Sequence, residues 1–215
     1  HPPVYVNHGE QPDVHLIYRF QFCVSIYLRR TDANNVLDNN FGKNGLARMY
    51  LNRRPSVVAT AIQDDGKIIC VGNILRTDEN LNFISSGHYL ARFNADGTVD
   101  STYGTNGAAI YPTSGEIPRS MLLQPDGKVI LATRRTGSNP QAFYRRYNTD
   151  GSQDNSFFQQ DDVSSSENYY KMAVQPDGKI IINSDAYDGT TSVPKLYYFT
   201  RFNADGSTHN SIGEK

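Results

Sequence analysis

Arg119-Ser120-Met121-Leu122-Leu123-Gln124-Pro125-Asp126-Gly127-Lys128-Val129-Ile130-Leu131-Ala132 is a pair of apolar runs separated by a turn. Proline presets φ at the first turn position, aspartate bonds the nearby backbone, and glycine takes the left-handed conformation that a bulged hairpin needs. The stretch therefore reads as a β-hairpin. The same grammar recurs at Gln63-Asp64-Asp65-Gly66-Lys67 and Gln175-Pro176-Asp177-Gly178-Lys179, and in reduced form at Gln11-Pro12-Asp13. A second turn alternates with the first, at Asp32-Ala33-Asn34-Asn35, Asn94-Ala95-Asp96-Gly97, Asn148-Thr149-Asp150-Gly151 and Asn203-Ala204-Asp205-Gly206. The runs entering three of these are His88 to Phe93, Ala142 to Tyr147 and Tyr197 to Phe202. Each repeat thus holds two hairpins, or about four short strands, at a period of roughly 50–60 residues that belongs to propellers and solenoids.

The returning strands Lys67 to Val71, Lys128 to Ala132 and Lys179 to Ile182 are nearly continuous β-branched and apolar runs. Such strands must be covered on both faces. Sheets stacked face to face supply that cover, whereas a lone sandwich would leave one face wet and alternating. The expected fold class is all-β, a β-propeller built from four repeats of about four short antiparallel strands. The chain reads as a single repeat domain over 1–215, with repeats at approximately 1–52, 53–113, 114–164 and 165–215.

After the second turn comes another recurrent string, Asp38-Asn39-Asn40-Phe41-Gly42 and Asp100-Ser101-Thr102-Tyr103-Gly104, shortened to Asp154-Asn155-Ser156-Phe157 and changed to His209-Asn210-Ser211-Ile212. Its aromatic or aliphatic residue is expected to plug the contact between neighbouring blades. An arginine also precedes each second turn, at Arg30, Arg92, Arg146 and Arg201. Recurrence within one chain points to a shared structural job, because a functional site usually occurs once. Aligned on the second repeat, the sequence stops short of the equivalent of Gly107-Ala108-Ala109-Ile110-Tyr111. Either Val4-Tyr5-Val6 completes the last blade, or the chain is a piece of a longer array.

Composition narrows the partners. With 21 basic and 22 acidic residues and no long block of like charge, nucleic acid is not expected as a partner. No apolar run reaches the length of a membrane span, so no membrane insertion is expected. Cys23 and Cys70 are too few for a disulfide framework, and Cys70 inside Ile68-Ile69-Cys70-Val71 reads as a small buried thiol, with a bridge between the two left open.

Leu122-Leu123-Gln124-Pro125-Asp126-Gly127-Lys128-Val129-Ile130 and Leu90-Ala91-Arg92-Phe93-Asn94-Ala95-Asp96-Gly97-Thr98-Val99-Asp100-Ser101-Thr102-Tyr103-Gly104 resemble the bacterial delta-60 repeat family of β-propellers. The resemblance covers essentially the whole chain. The first repeat departs from it, with no Gly-Lys after Pro12-Asp13 and with Asn34-Asn35 where the others carry Asp-Gly. The resemblance implies a propeller in secreted or surface-exposed bacterial proteins, hence an extracellular or cell-surface location, and it carries over no catalytic residues.

Candidate chemistry is sparse. Asn94 to Asp100 and Asn148 to Asp154 place oxygens at alternate positions as short calcium loops do, but the same residues are selected by hairpin turns and no bidentate acid follows. The five histidines are scattered over different repeats without metal spacing, so neither a metal nor a cofactor is expected. No nucleophile elbow, P-loop or dinucleotide fingerprint is present. The links between the two hairpins differ in length and content while the framework repeats, which is where recognition concentrates. They supply the candidate ligand-binding residues Asn80, Asn82, Arg134, Arg135, Asp185, Tyr187 and Asp188. The reading is a non-catalytic extracellular module for binding, adhesion or scaffolding, with a protein or glycan ligand. A propeller lyase or hydrolase acting on polysaccharide, and a structural segment of a larger propeller, are the alternatives. A second copy of the chain or neighbouring repeats are further candidate partners.

Overall fold

The structure, a computed structural model, describes residues 5–6, 13–16, 25–77, 83–113, 115–135, 141–161, 171–186 and 196–207. Every described regular element is a strand, and every pairing is antiparallel. The first sheet runs in sequence order through β1 (Tyr5–Val6), β2 (Asp13–Leu16), β3 (Ser25–Thr31) and β4 (Leu46–Tyr50). The second is β5 (Arg54–Ile62), β6 (Ile68–Thr77), β7 (Phe83–Phe93) and β8 (Ala108–Pro112). The third is β9 (Glu116–Leu123), β10 (Val129–Arg135), β11 (Gln141–Tyr147) and β12 (Gln153–Asp161). The fourth has three described strands, β13 (Lys171–Val174), β14 (Ile180–Ala186) and β15 (Leu196–Phe202). Packing divides the chain into two compact units, His1–Thr113 with the first two sheets and Ser114–Lys215 with the last two.

Both families of hairpin turn close as their residues dictate. The Gln124 N–H donates to the Lys128 carbonyl at 2.8 Å and the Gly127 N–H to the Gln124 carbonyl at 2.9 Å, and the turns at Gln63 and Gln175 repeat the pattern. The aspartate accepts the N–H of the following lysine in each, as Asp126 does from Lys128 at 3.1 Å. In the second family the Asn94 N–H bonds the Thr98 carbonyl and the Gly97 N–H the Asn94 carbonyl, with equivalents at Asn148 and Asn203. Asp96, Asp150 and Asp205 each accept both the N–H and the hydroxyl of the residue two positions on.

Two of the three returning strands are enclosed on both faces, whereas on β14 Ile180 and Ile182 are buried and Ile181, on the other face, is only partly so. Ile68, Ile69, Cys70 and Val71 are buried, as are Val129, Ile130, Leu131 and Ala132. Within the first unit one core joins Ile26, Leu28, Ala47 and Met49 of the first sheet to Ile68, Cys70, Tyr89, Ala91 and Phe93 of the second. Within the second unit Ile130, Ala132 and Tyr144 pack against Ile180, Ile182 and Phe202. Cys70 is a free thiol.

Two expectations change. Tyr5 and Val6 pair with His15 and Val14, so these residues belong to the first sheet and do not complete the last one. Asp13, read as part of a turn, opens β2 instead, because its pairing with Thr31 extends the ladder one residue further than the turn grammar suggests. Among the described residues no helix is long and apolar enough to cross a membrane.

Candidate functional site

The recurrent charged residues form a joint that is repeated sheet after sheet. Arg92 donates from Nε to Asp100 Oδ2 at 2.8 Å, and its guanidinium lies 4.6 Å from the centroid of the Tyr103 ring. Arg30 does the same with Asp38 at 2.8 Å over Phe41 at 4.8 Å, and Arg146 with Asp154 at 2.9 Å over Phe157 at 4.7 Å. A planar cation held between a carboxylate and a π face is suited to guanidinium and not to ammonium. Lysines from the first turns complete the charge, Lys67 Nζ lying 3.3 Å from Asp100 Oδ2 and Lys128 Nζ 3.0 Å from Asp154 Oδ2.

The joint reaches into the next sheet. Arg30 donates through Nη1 to the Ala95 carbonyl at 2.6 Å, and Arg146 to the Ala204 carbonyl at 2.5 Å. The fully buried rings of Phe41 and Phe157 seat on the last residue of those same second turns, Gly97 and Gly206. A Cβ at Gly97 would lie 2.7 Å from the Gly42 nitrogen and 2.9 Å from Phe41 Cε2. At Gly206 the three atoms nearest to a Cβ would all belong to Phe157, with Cε2 at 2.7 Å and Cγ at 2.9 Å. Both glycines have positive φ, +85° and +93°. The expected aromatic plug between successive sheets is therefore present within each unit, in the form of an aromatic ring set on a bare turn.

The carboxylates of this joint are held ionised. Burial raises the pKa of Asp100, but hydrogen bonds from the Thr102 hydroxyl and N–H and from Lys67, with the charge of Arg92, outweigh it and leave the pKa at about 2. Bonds from Ser156, Lys128 and Arg146 push Asp154 further below the usual carboxylate range. Asp38 is lowered chiefly by Arg30, and Asp96 by Thr98. The oxygens that could resemble calcium ligands in sequence are thus engaged by turn N–H groups, hydroxyls, lysine and arginine. Among the described residues no group of three or more His, Cys, Asp or Glu is placed to hold a metal.

One polar cluster does not recur. β9, β10 and β11 bring Glu116, Thr133, Arg135, Gln141, Phe143 and Arg145 to one face, because Arg135 pairs with both Glu116 and Gln141 and Thr133 with Phe143. Arg145 grips Glu116 with two donors, Nη1 to Oε2 at 2.6 Å and Nη2 to Oε1 at 3.1 Å, and the Thr133 hydroxyl adds a bond at 3.2 Å. Two guanidiniums lie over Phe143, that of Arg145 at 4.9 Å and that of Arg135 at 5.2 Å. Both Glu116 oxygens are taken by Arg145 and Thr133, so the half-buried Arg135 brings a positive charge that no described carboxylate neutralises.

Of the residues proposed from sequence, Arg134 and Arg135 are strand residues and not members of an irregular link. They pair with Ala142 and Gln141 on one side and with Ile117 and Glu116 on the other. The hairpin extends because the apolar run that suggested a strand ending at Ala132 continues in register through Thr133. Alternation then separates the two arginines, Arg135 joining the Phe143 face and the buried Arg134 the face of Ala132 and Ala142. Asp185 lies on β14 opposite Tyr197. Asn80, Asn82, Tyr187 and Asp188 fall outside the described residues. Glu116, Phe143 and Arg145 were missed, since their association depends on strand register across the sheet and leaves no short motif.

Comparison with known proteins agrees with this architecture. The model of a family described as a domain of unknown function, DUF5122, a β-propeller, matches residues 63–103 and 124–157. These stretches run from the first turn of a repeat through its second turn to the aromatic of the joint, Tyr103 in one and Phe157 in the other. The chain is thus similar to a β-propeller family and is all-β with antiparallel sheets. No curated protein matches it.

Proposed function

We propose that this chain is a non-catalytic β-propeller module of four delta-60-like repeats, serving binding, adhesion or scaffolding toward a protein or glycan ligand outside a bacterial cell. The observation that carries the reading is the division of labour among the charged residues. Those that recur are engaged in the fold: Arg30, Arg92 and Arg146 each pair with an aspartate and cover a ring, and Arg30 and Arg146 also reach a carbonyl of the next sheet in their unit. Acid–base chemistry requires groups held free to exchange protons near neutral pH, and carboxylates pushed down to about 2, as at Asp100, do not serve it.

Recognition then falls to residues that occur once, of which Arg135 and its neighbours on the Phe143 face are the described example. Arrays of saccharides and of extracellular proteins, probed with the intact chain, test the reading. Reproducible retention of a ligand class with no turnover of it supports a binding module. Chemical conversion of a retained polysaccharide would replace it with an enzyme, and silence on both arrays would remove the binding role.

A further inference from the structure

Two tight turns of the first unit carry an Asn-Gly pair, Asn44-Gly45 leading into β4 and Asn106-Gly107 leading into β8. The two are alike in most respects. Both asparagines are exposed and sit in the left-handed region, at φ 55° and 53°. Both glycines are buried, with an aliphatic side chain where a Cβ would stand, Leu37 beside Gly45 and Val99 beside Gly107. Each turn is closed by the same reciprocal backbone bonds, Lys43 with Leu46 and Thr105 with Ala108.

They differ in how the glycine is tied down. The Gly107 N–H donates to the Tyr103 carbonyl at 3.0 Å, and the Gly107 carbonyl accepts from the Arg92 N–H at 2.9 Å. Gly45 makes neither bond, and among the described residues its N–H and its carbonyl have no partner. The Asp-Gly turns are tied as well, since at Gly66, Gly97, Gly127, Gly151, Gly178 and Gly206 the glycine N–H donates to the carbonyl three residues back. Every other described Asn-Gly or Asp-Gly junction therefore has its glycine nitrogen engaged.

We propose that Asn44 is a site of spontaneous covalent modification, at which the chain converts its own side-chain amide to a carboxylate through Gly45. The Gly45 nitrogen gives its proton to hydroxide and attacks Asn44 Cγ. A bond forms between that carbon and the main-chain nitrogen, the Cγ–Nδ2 bond breaks, and Nδ2 leaves as ammonia with a proton taken from water. Water then opens the cyclic imide, giving aspartate where the side-chain carbonyl is attacked and isoaspartate where the main-chain carbonyl is. Nothing is oxidised or reduced, and water is the only co-reactant. Glycine offers no Cβ to block the approach, and the exposed amide is open to solvent. An N–H held by an acceptor must give up that bond before it can attack, which slows the anchored junctions and not Gly45.

The modification acts on the joint between the first two sheets. Gly42, two residues before Asn44, donates its N–H to the Asp96 carbonyl on the second turn of the next sheet at 2.6 Å. Isoaspartate adds a carbon to the backbone beside that bond, and either product sets a negative charge next to Lys43.

The test incubates the intact chain in mildly alkaline buffer made with heavy-oxygen water, digests it in slightly acid buffer and weighs the peptides. Cleavage after Lys43 and Arg48 releases Asn44 to Arg48, and the Asn106 peptide of the same digest is its reference. The Asn44 peptide should appear as isoaspartate and aspartate forms, each carrying one heavy oxygen, about tenfold or more faster than the Asn106 peptide converts. In denaturant the two rates should converge. Isoelectric focusing of the intact chain should show an acidic species growing in, and Asn44→Gly, which suits φ 55°, should remove it.

Equal native rates at the two asparagines, or faster conversion at Asn106, would overturn the proposal. So would a native chain that converts at neither site while both convert in denaturant. Aspartate without isoaspartate would show direct hydrolysis and remove Gly45 as the nucleophile. An acidic species that persists in Asn44→Gly would place the conversion elsewhere. None of these outcomes depends on the chain binding a ligand.

Discussion

Gly97→Ala probes the joint between the first and second sheets directly. Two costs add at this position. The backbone sits at φ +85°, where a Cβ costs about 1–2 kcal/mol. The new methyl would also stand 2.7 Å from the Gly42 nitrogen and 2.9 Å from Phe41 Cε2, and forced overpacking of that kind costs about 1–3 kcal/mol. The sum is about 2–5 kcal/mol. Gly66→Ala is the matched control in the same unit, with φ +77° and a nearest neighbour, the Ala95 methyl, at 3.1 Å. It should cost about 1–2 kcal/mol, mostly backbone strain. Urea unfolding of both variants at constant m is the assay, and with m of about 1–3 kcal/mol/M the midpoints should differ by roughly 1 M. Equal midpoints would refute the seating of Phe41 on a bare turn.

Three further outcomes follow from the same geometry. Arg146→Ala removes the Asp154 pair, the cover of Phe157 and the bond to the Ala204 carbonyl, and should cost about 3–5 kcal/mol; Arg146→Lys should recover less than half in a thermal or urea melt, since one ammonium cannot span both acceptors. Because the folded pKa of Asp100 is depressed from 3.8 to about 2, its contribution is complete above about pH 4 and lost as pH falls toward 2; it is on the order of 1–2 kcal/mol after solvent screening, so urea midpoints should be flat from pH 6 to 5 and drop below 4, with Asp100→Asn flattening the profile. Burial pushes the Cys70 thiol far above its ordinary pKa, so in a Cys23→Ser background the native chain should resist thiol reagents at pH 8 and react fully in denaturant, as followed by mass.

The hairpins were legible because their turns depend on local chemistry. Gln124 to Gly127 and Asn94 to Gly97 state their hydrogen bonds in residue order, and the continuous run Ile68 to Val71 states its double burial. The joint was half legible. Arg30, Arg92 and Arg146 recur, and so do Asp38, Asp100 and Asp154 at a constant separation of eight, a signal that would have paired them. The acceptors on the next sheet, the carbonyls of Ala95 and Ala204, leave no trace in side-chain patterns because any residue supplies a carbonyl. Glu116 and Arg145 are 29 residues apart and meet through a ladder with a bulge between Ala132 and Thr133, so no sequence spacing announces them. Placing Arg134 and Arg135 in a link failed because the strand runs on past its last aliphatic residue into polar ones.

The account rests on recurrent residues joining sheet to sheet within each unit, and a double-mutant cycle between Phe157 and Gly206 tests it most directly. The methyl introduced by Gly206→Ala would press on Phe157, to which the three nearest atoms belong. In the parent chain that replacement should cost about 2–5 kcal/mol, and in a Phe157→Ala background only the left-handed strain of about 1–2 kcal/mol. A coupling of about 1–3 kcal/mol by urea unfolding is the expected result. Additive costs, within about 0.5 kcal/mol, would show that the ring does not sit on this turn and would contradict the joint.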